Sequence, residues 1–390
     1  MPQTHTQDAH WREIFEARFG PGGRLRAAMA PGRSNLIGEH TDYNGGLVLP
    51  IAVNRRTVVL FRAQRSGGAP RLALYSDLLD SADEFPLSGL KPVSGEERHW
   101  SNYVRGTAWA LEKRGVKLKG GDFYITGDLP RGAGLSSSAA LEVSAGLALL
   151  ALAGQRLSRQ ELAYAGQEAE HQFAGVRCGI MDQTVVCLAK AGHALLLDTQ
   201  TMTVQHTPIH MQGYSFGIFD TGVRHKLAAS EYNKRRAECE HAAQVLGHPF
   251  LRGVTLEDLL RRGGRLTPGE HKRLRHVVTE NLRVTQFAAA LARGDHAEMG
   301  RLLASSHLSL ARDYEVSCPE LDAVVAALNK QHARDGACPG ARMTGGGCGG
   351  AVVALLKTSA VPAYAKALRR LAPGGSLLLA PSGGAFVVNI

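Results

Sequence analysis

The order in which apolar periods follow one another constrains the fold of this chain more than any other feature. Short apolar or alternating runs at 24–30 ("RLRAAMA"), 56–63 ("RTVVLFRA"), 71–76 ("RLALYS") and 121–127 ("GDFYITG") read as strands. Helical spacing over 102–115 ends at Gly115, and 136–153 and 158–173 read as two further helices. Past Gly192 the texture changes. Strands are expected at 193–199 and 214–221, then a helical run from about 225 to 331, broken by "RRGGRLTPGE". The end is mixed again: strand 351–357, helix 360–372, strands 375–380 and 385–389. This is no regular βαβ alternation, so the order predicts α+β rather than a doubly wound sheet. At 390 residues, two domains are expected. The boundary is placed near 200–212, giving lobes 1–205 and 206–390.

Several function classes are disfavoured at once. The net charge is +10, but Lys and Arg are spread along the chain and no zinc-finger or RRM signature accompanies them. Nucleic acid is therefore not expected; an anionic small molecule is the simpler account of some arginines. The most apolar stretch, Ser144 to Gly154, is too short to cross a bilayer and fits a buried helix. "MPQTHTQDAHW" has neither a basic flank nor an apolar run, so no signal peptide is expected. The six cysteines form no CxxC pair, which fits reduced thiols in a cytoplasmic protein.

Four segments carry chemistry. "GRSNLIGEHTDYNGG" (32–46) gathers a guanidinium, two carboxylates, an imidazole, a phenol, two asparagines and four glycines. That is a hydrogen-bonding set for a small polar ligand. "DLPRGAGLSSSAALE" follows a strand and opens a helix. Gly132 and Gly134 free the backbone to turn, and the following N–H groups and hydroxyls suit an anion such as phosphate. It is neither a Walker A loop nor GxGxxG; an ordinary helix capped by Ser136 is the competing reading. In "RMTGGGCGGAVVALL" (342–356) five of the six residues from 345 to 350 are glycine, more than a hairpin needs, which points to main chain packed close to another element. Asp182 lies among Ile180, Met181, Val185 and Val186, and a carboxylate there needs a partner or a task. The alternative is a helix cap starting at Gln183.

Together these segments resemble the GHMP kinase superfamily, in its order and spacing, and within it the galactokinase family. The first segment is similar to the galactokinase signature. The second resembles the superfamily's phosphate loop and the third its C-terminal glycine loop. "CGIMDQ" (178–183), "HKLAASEYNKRRAECE" (225–240) and "YEVSCPELD" (314–322) also resemble galactokinases, so the likeness runs from about residue 12 to the end. It implies a two-lobed α+β fold. The N-terminal lobe would be a mixed sheet with a left-handed βαβ unit, the C-terminal lobe an antiparallel sheet with helices, and the site would lie between them.

The resemblance also implies roles. Asp182 would accept the proton of the C1 hydroxyl of D-galactose as ATP phosphorylates it, the first step of galactose catabolism, and Arg33 would neutralise Asp182 and the developing charge. Glu39, His40, Asp42, the main chain of Gly179 and Tyr232 would bind the sugar. Gly132, Ala133, Gly134, Leu135, Ser136, Ser137 and Ser138 would cradle ATP. Ser137 and Glu170 would hold Mg²⁺, which prefers hard oxygen ligands. Trp100 and Tyr103 either flank the adenine or simply pack a helix; Arg235 and Arg236 are read as structural ion pairs. Asn35 and Tyr43 have no assigned role. Cys348 stands where relatives often carry a bulkier residue. A monomer is expected. Two alternatives remain: another sugar, such as N-acetylgalactosamine or L-arabinose, and a galactose sensor without catalysis. An intact "GLSSSAA" together with Arg33 and Asp182 argues against the sensor.

Overall fold

The computed structural model describes residues 5–65, 67–95, 99–130, 134–224 and 228–390. In chain order these form α1 (His5–Phe19), β1 (Arg26–Asn35), β2 (Leu47–Val48), β3 (Pro50–Ala63), β4 (Arg71–Ser76), β5 (Ser81–Pro86), α2 (Ser101–Lys113), β6 (Gly121–Gly127), α3 (Ser137–Ala153), α4 (Arg159–Ala169) and α5 (Met181–Leu188). They continue with β7 (His193–Asp198), β8 (Thr203–Pro208), β9 (Tyr214–Arg224), α6 (Ala228–Leu246), α7 (Leu256–Arg262), α8 (Pro268–Arg293), α9 (His296–Ser309) and α10 (Pro319–Asp335). The chain closes with β10 (Gly340–Thr344), β11 (Gly349–Lys357), α11 (Val361–Leu368), β12 (Gly375–Leu379) and β13 (Phe386–Asn389).

The α+β expectation holds. A six-stranded sheet runs β13-β1-β3-β6-β4-β5, and it is mixed because β4 and β6 pair in parallel while the other neighbours are antiparallel. The chain crosses between that parallel pair through β5 and α2. The second large sheet, β10-β11-β9-β12, is wholly antiparallel, and β2-β7-β8 form a small third sheet.

Period-2 alternation explains how each sheet is covered on both faces. On β1, Ala27 and Met29 face α1, packing with Trp11 and Phe15, while Ala28 and Ala30 face the inner core with Val143 and Leu149 of α3. On β11, Val352, Ala354 and Leu356 face the outer helices, while Ala351, Val353 and Leu355 join the inner core. That inner core includes Phe61 and Phe123 from the first sheet as well as Phe216, Ile218, Phe287 and Leu302. One apolar core therefore spans both lobes and fixes the cleft between them.

Four strands were not foreseen, among them the two-residue β2 (Leu47–Val48). β5 ("SADEFP"), β8 ("TVQHTP") and β10 ("GARMT") are short or polar, so their sequences lack a clear alternation. The expected boundary falls across β8 and the link to β9. β13, at the end of the expected second lobe, pairs with β1 from Arg26↔Asn389 to Met29↔Phe386. Its Phe386 and Val387 bring apolar surface to an edge that would otherwise stay open. Among the described residues no helix is long and apolar enough to cross a membrane.

Candidate active site

Arg33 lies near the C-terminal end of β1 and Asp182 in the first turn of α5. Their side chains meet in a two-pronged pair: Arg33 Nε donates to Asp182 Oδ1 at 2.6 Å and Nη2 to Oδ2 at 2.5 Å. Such fork-on-fork geometry fixes the carboxylate's plane as well as its position. Arg33 Nη1 donates to the Gly134 carbonyl at 2.5 Å, and its backbone N–H to Leu135 O at 3.0 Å. Burial pulls the Arg33 pKa down, but Asp182 outweighs it and the net shift is upward. Asp182 is not a helix cap, since Ile180 holds that place and the carboxylate faces Arg33 instead.

The glycine–serine loop differs from the capped helix that was the competing reading. Ser136 precedes α3 in the left-handed region (φ 52°) and makes no side-chain cap. Its hydroxyl donates to Asp182 Oδ2 instead. Gly132 and Ala133 lie outside the described residues. Gly134 touches the other glycine loop, where Thr344 O lies 3.2 Å from the position of an added Cβ. In that second loop Gly347 (φ 81°) leaves no room for a side chain: a Cβ would sit 2.3 Å from Val316 O. Gly347 and Gly349, the latter with a Cβ position 2.7 Å from Val223 O, thus let the main chain pass close to its neighbours.

The 32–46 segment folds around Glu39, His40 and Asp42. Glu39 is buried, and its carboxylate is heavily engaged. Oε2 accepts from Asn35 Nδ2 (2.8 Å); Oε1 accepts from Thr344 Oγ1 (2.9 Å) and Gly345 N (2.8 Å) and pairs with Arg342 Nη1 (3.2 Å). His40 is held in the left-handed region (φ 62°), a strained state for a residue with a side chain. Its Nδ1 lies 2.7 Å from Tyr43 Oη, and its Nε2 makes no hydrogen bond of good geometry, with the Gly346 main chain beside the ring. Burial, then the nearby His276, push its pKa down to about 3, so the ring is neutral. Burial, then the Asp182 charge, push the Asp42 carboxyl up to about 7. Asp42 rests directly against Gly179, where an added Cβ would fall 1.8 Å from Asp42 Oδ2.

Tyr232 on α6 closes the side of this group, with ring centroids 5.4 Å from His40 and 5.2 Å from Tyr43. Arg33, Glu39, His40, Asp42, Gly179, Asp182 and Tyr232 thus line one cavity of about 150 Å³, with Glu170, Gly345 and Gly346. That is the size of a small polar ligand, below the usual range for drug-sized ones. A larger cleft of about 720 Å³ lies on the far edge of the first sheet. Its Arg62, Arg65 and Arg71 are already committed to Asp122, the Pro21 carbonyl and Glu84.

Glu170 sits at the cavity, in a π-turn after α4. Its Oε1 accepts from Ser138 Oγ at 3.3 Å. Gln183 Nε2 donates at 2.9 Å both to Glu170 Oε2 and to Glu142 Oε2, while Glu142 Oε1 stays unpartnered. Burial, then the Asp182 charge, raise Glu170 to about 7. Hard oxygens and underused buried carboxylates fit Mg²⁺, which binds through one or two carboxylates plus phosphate and water. Among the described residues no group of three or more His, Cys, Asp or Glu could by itself hold a metal ion.

Other residues that sequence reasoning missed hold this site from a distance. Arg342 is fully buried and donates to the carbonyls of Asn35, Leu36 and Met343 as it pairs with Glu39. Glu280 on α8 accepts from Gly38 N (3.0 Å), Ser306 (2.6 Å) and Arg283 (2.6 Å). Asn281 accepts from Leu47 N at 2.7 Å. A charge at Glu280 between Val277 and Val284, on the apolar face of a helix, was the available signal. Asn35 and Tyr43 acquire roles as supports of Glu39 and His40. Arg235 and Arg236 form ion pairs with Glu231, Glu238 and Glu240, as expected. Trp100 donates to Ser81 Oγ at 3.1 Å and Tyr103 lies edge-on to His99.

Comparison with known proteins yields three family matches. These are a galactokinase galactose-binding signature over residues 13–63, a GHMP kinase N-terminal domain over 102–190 and a GHMP kinase C-terminal region over 287–373. A galactokinase of Chloroflexus aurantiacus is 45% identical over 361 residues, covering 91% of this chain and 89% of that protein. The crystal structure of Lactococcus lactis galactokinase complexed with galactose superposes with a TM-score of 0.90 at 33% identity, covering 97% of this chain and 99% of that one. Methanococcus jannaschii mevalonate kinase shares the fold (TM-score 0.63, 17% identity, 95% and 98% covered).

Proposed function

This chain belongs to the galactokinase family of GHMP kinases, and we propose that its cleft transfers the γ-phosphoryl group of ATP to the C1 hydroxyl of D-galactose, giving α-D-galactose 1-phosphate and ADP. The observation that carries this reading is the Arg33–Asp182 pair at one wall of a cavity lined by Glu39, His40, Asp42 and Tyr232.

Phosphoryl transfer depends on positioning and on charge stabilisation. Asp182, its plane set by Arg33 and Ser136, accepts the hydroxyl proton. The arginine fork stays cationic and faces the charge that develops on the transferred group. Glu39, His40, Asp42, the Gly179 main chain and Tyr232 bind the sugar hydroxyls, and the loop at Gly134–Ser138 holds the nucleotide phosphates. Glu170 and Ser137, with Ser138 Oγ 3.3 Å from Glu170 Oε1, would hold Mg²⁺, which would supply charge neutralisation for the phosphates. Polar groups buried around one ring reject an epimer, because a displaced hydroxyl leaves them unpaired. The chain acts as a monomer of two lobes, 1–205 and 206–390, with β13 pairing back onto β1.

A coupled ADP-release assay across a sugar panel tests the reading. Galactose should give the highest kcat/KM, above N-acetylgalactosamine, L-arabinose and glucose. No turnover with galactose, alongside turnover of another sugar, would overturn it.

A further inference from the structure

Behind His40 runs a buried chain of hydrogen bonds that the phosphoryl-transfer reading does not use. His40 Nδ1 lies 2.7 Å from Tyr43 Oη, Tyr43 Oη 2.8 Å from Tyr314 Oη, and Tyr314 Oη 3.1 Å from Cys239 Sγ. All four residues are buried. His40 and His276 flank the Tyr314 ring, with centroids 4.7 and 4.6 Å away. Asn44 Nδ2 fixes the His40 carbonyl at 2.8 Å. The imidazole therefore has little freedom to rotate, and only its tautomer remains to be set.

The chemistry of the chain sets it. Protons can run in two directions. In one, His40 Nδ1–H donates outward and the last phenol must donate to a thiol sulfur, a weak acceptor. In the other, Cys239 S–H donates to Tyr314, Tyr314 to Tyr43, and Tyr43 to the bare Nδ1, so every acceptor is oxygen or nitrogen. We infer that the Cys239–Tyr314–Tyr43 chain holds His40 in the Nε2–H tautomer, making it an obligate hydrogen-bond donor to one hydroxyl of the sugar. Tyr43 and Tyr314 are thereby positioning residues for substrate choice, acting through His40. His40 being neutral agrees with this, and its Nε2 is the ring nitrogen that makes no hydrogen bond of good geometry. A donor fixed in this way accepts a sugar oxygen there and gives no anchor to an analogue lacking it.

This inference rests on the cavity being the sugar site, and the two are separable by experiment. The full chain is labelled with ¹⁵N in its histidine rings and examined without ligand, His40 being assigned by its loss in His40→Asn. The expected spectrum shows a protonated Nε2 and a bare Nδ1; a proton on Nδ1 overturns the inference whatever the sugar does. In Tyr43→Phe a mixture of tautomers is expected, with the galactose KM raised about tenfold and the ATP KM unmoved. In Tyr314→Phe the same changes are expected at about threefold. Both variants keep the ring and lose one hydroxyl, so Tyr314→Phe serves where Tyr43→Phe fails to fold. An unchanged tautomer in whichever variant folds overturns the relay. Absence of galactose binding by the wild-type chain would sink the sugar-site reading instead, leaving the tautomer result to be judged alone.

Discussion

Both halves of the cleft are made of loops, yet they are held in very different ways. On the sugar side, the Glu39 carboxylate alone takes Asn35, Thr344, Gly345 and Arg342, while Glu280 and Asn281 reach in from α8 to hold Gly38 and Leu47. On the phosphate side one amide nitrogen, that of Gln183, serves two carboxylates, and Glu142 Oε1 and Gln183 Oε1 have no partner. The carboxylates of the sugar half are closely held, with Asn35 Oδ1 and His40 Nε2 left over, whereas in the phosphate half two carboxylates share one amide donor. The difference teaches that selectivity and chemistry draw on separate supports. A site that must tell epimers apart cannot let its donors wander. A site for a charged nucleotide and its metal gains by leaving carboxylates short of partners until the charge arrives.

The comparison can be broken at its hinge, where Asp182 serves both halves. Asp182→Asn should lower kcat roughly 10³-fold while galactose binding, measured by calorimetry, stays near wild type. Near-normal turnover would remove Asp182 from the proton-accepting role. Next in size is Gly179→Ala, whose new Cβ displaces Asp42. It should cut kcat/KM for galactose about 100-fold through KM, with the ATP KM unchanged. If both constants rise together, the halves are not independently supported.

The third effect is on stability. Glu280 is held down to about 2, mainly by Arg283 working against burial. A lowered carboxyl stabilises the fold above its unfolded pKa near 4.5, and that contribution is lost as pH falls from there to about 2. Glu280→Gln should therefore cost about 3 kcal/mol near neutrality and flatten the acid limb in urea titrations across pH. Asp42 has the opposite sign. Raised to about 7, it makes the ligand-free fold less stable as pH climbs from about 4 to about 7. Asp42→Asn should remove that decline. The smallest effect sharpens the phosphate side. Ser137→Ala should raise the Mg²⁺ concentration for half-maximal activity about tenfold, and Ser138→Ala by less. The reverse order would move the metal contact to Ser138.

The parts legible in the sequence were those that concentrate unusual residues over a short span. Glycines and serines crowd 132–138 and 345–350, and the 32–46 segment carries its polar groups side by side. The long strands were legible as apolar runs, because β1 and β11 are apolar on both faces of their sheets. What stayed hidden was support from single residues far away in sequence. Glu280 meets Gly38 across 242 positions and Arg342 meets Asn35 across 307. A buried acid on a helix is spelled like a solvated one, and only its apolar flanks at i−3 and i+4 set it apart. Ser136 misled for a related reason. Its residue type suits a helix cap, but its left-handed backbone turns the hydroxyl toward Asp182.

The return of β13 to β1 has a consequence for how the protein is made. The strand that completes the first sheet spans Phe386–Asn389, while its partner begins at Arg26. On the ribosome, the outer edge of β1 has to wait for nearly the whole chain to be synthesised. Until then a strand edge stands open next to apolar neighbours, a surface that invites pairing with other chains. Phe386–Asn389 therefore act as a latch on the first lobe, and substitutions that break this pairing should lower the yield of folded protein before they touch the chemistry.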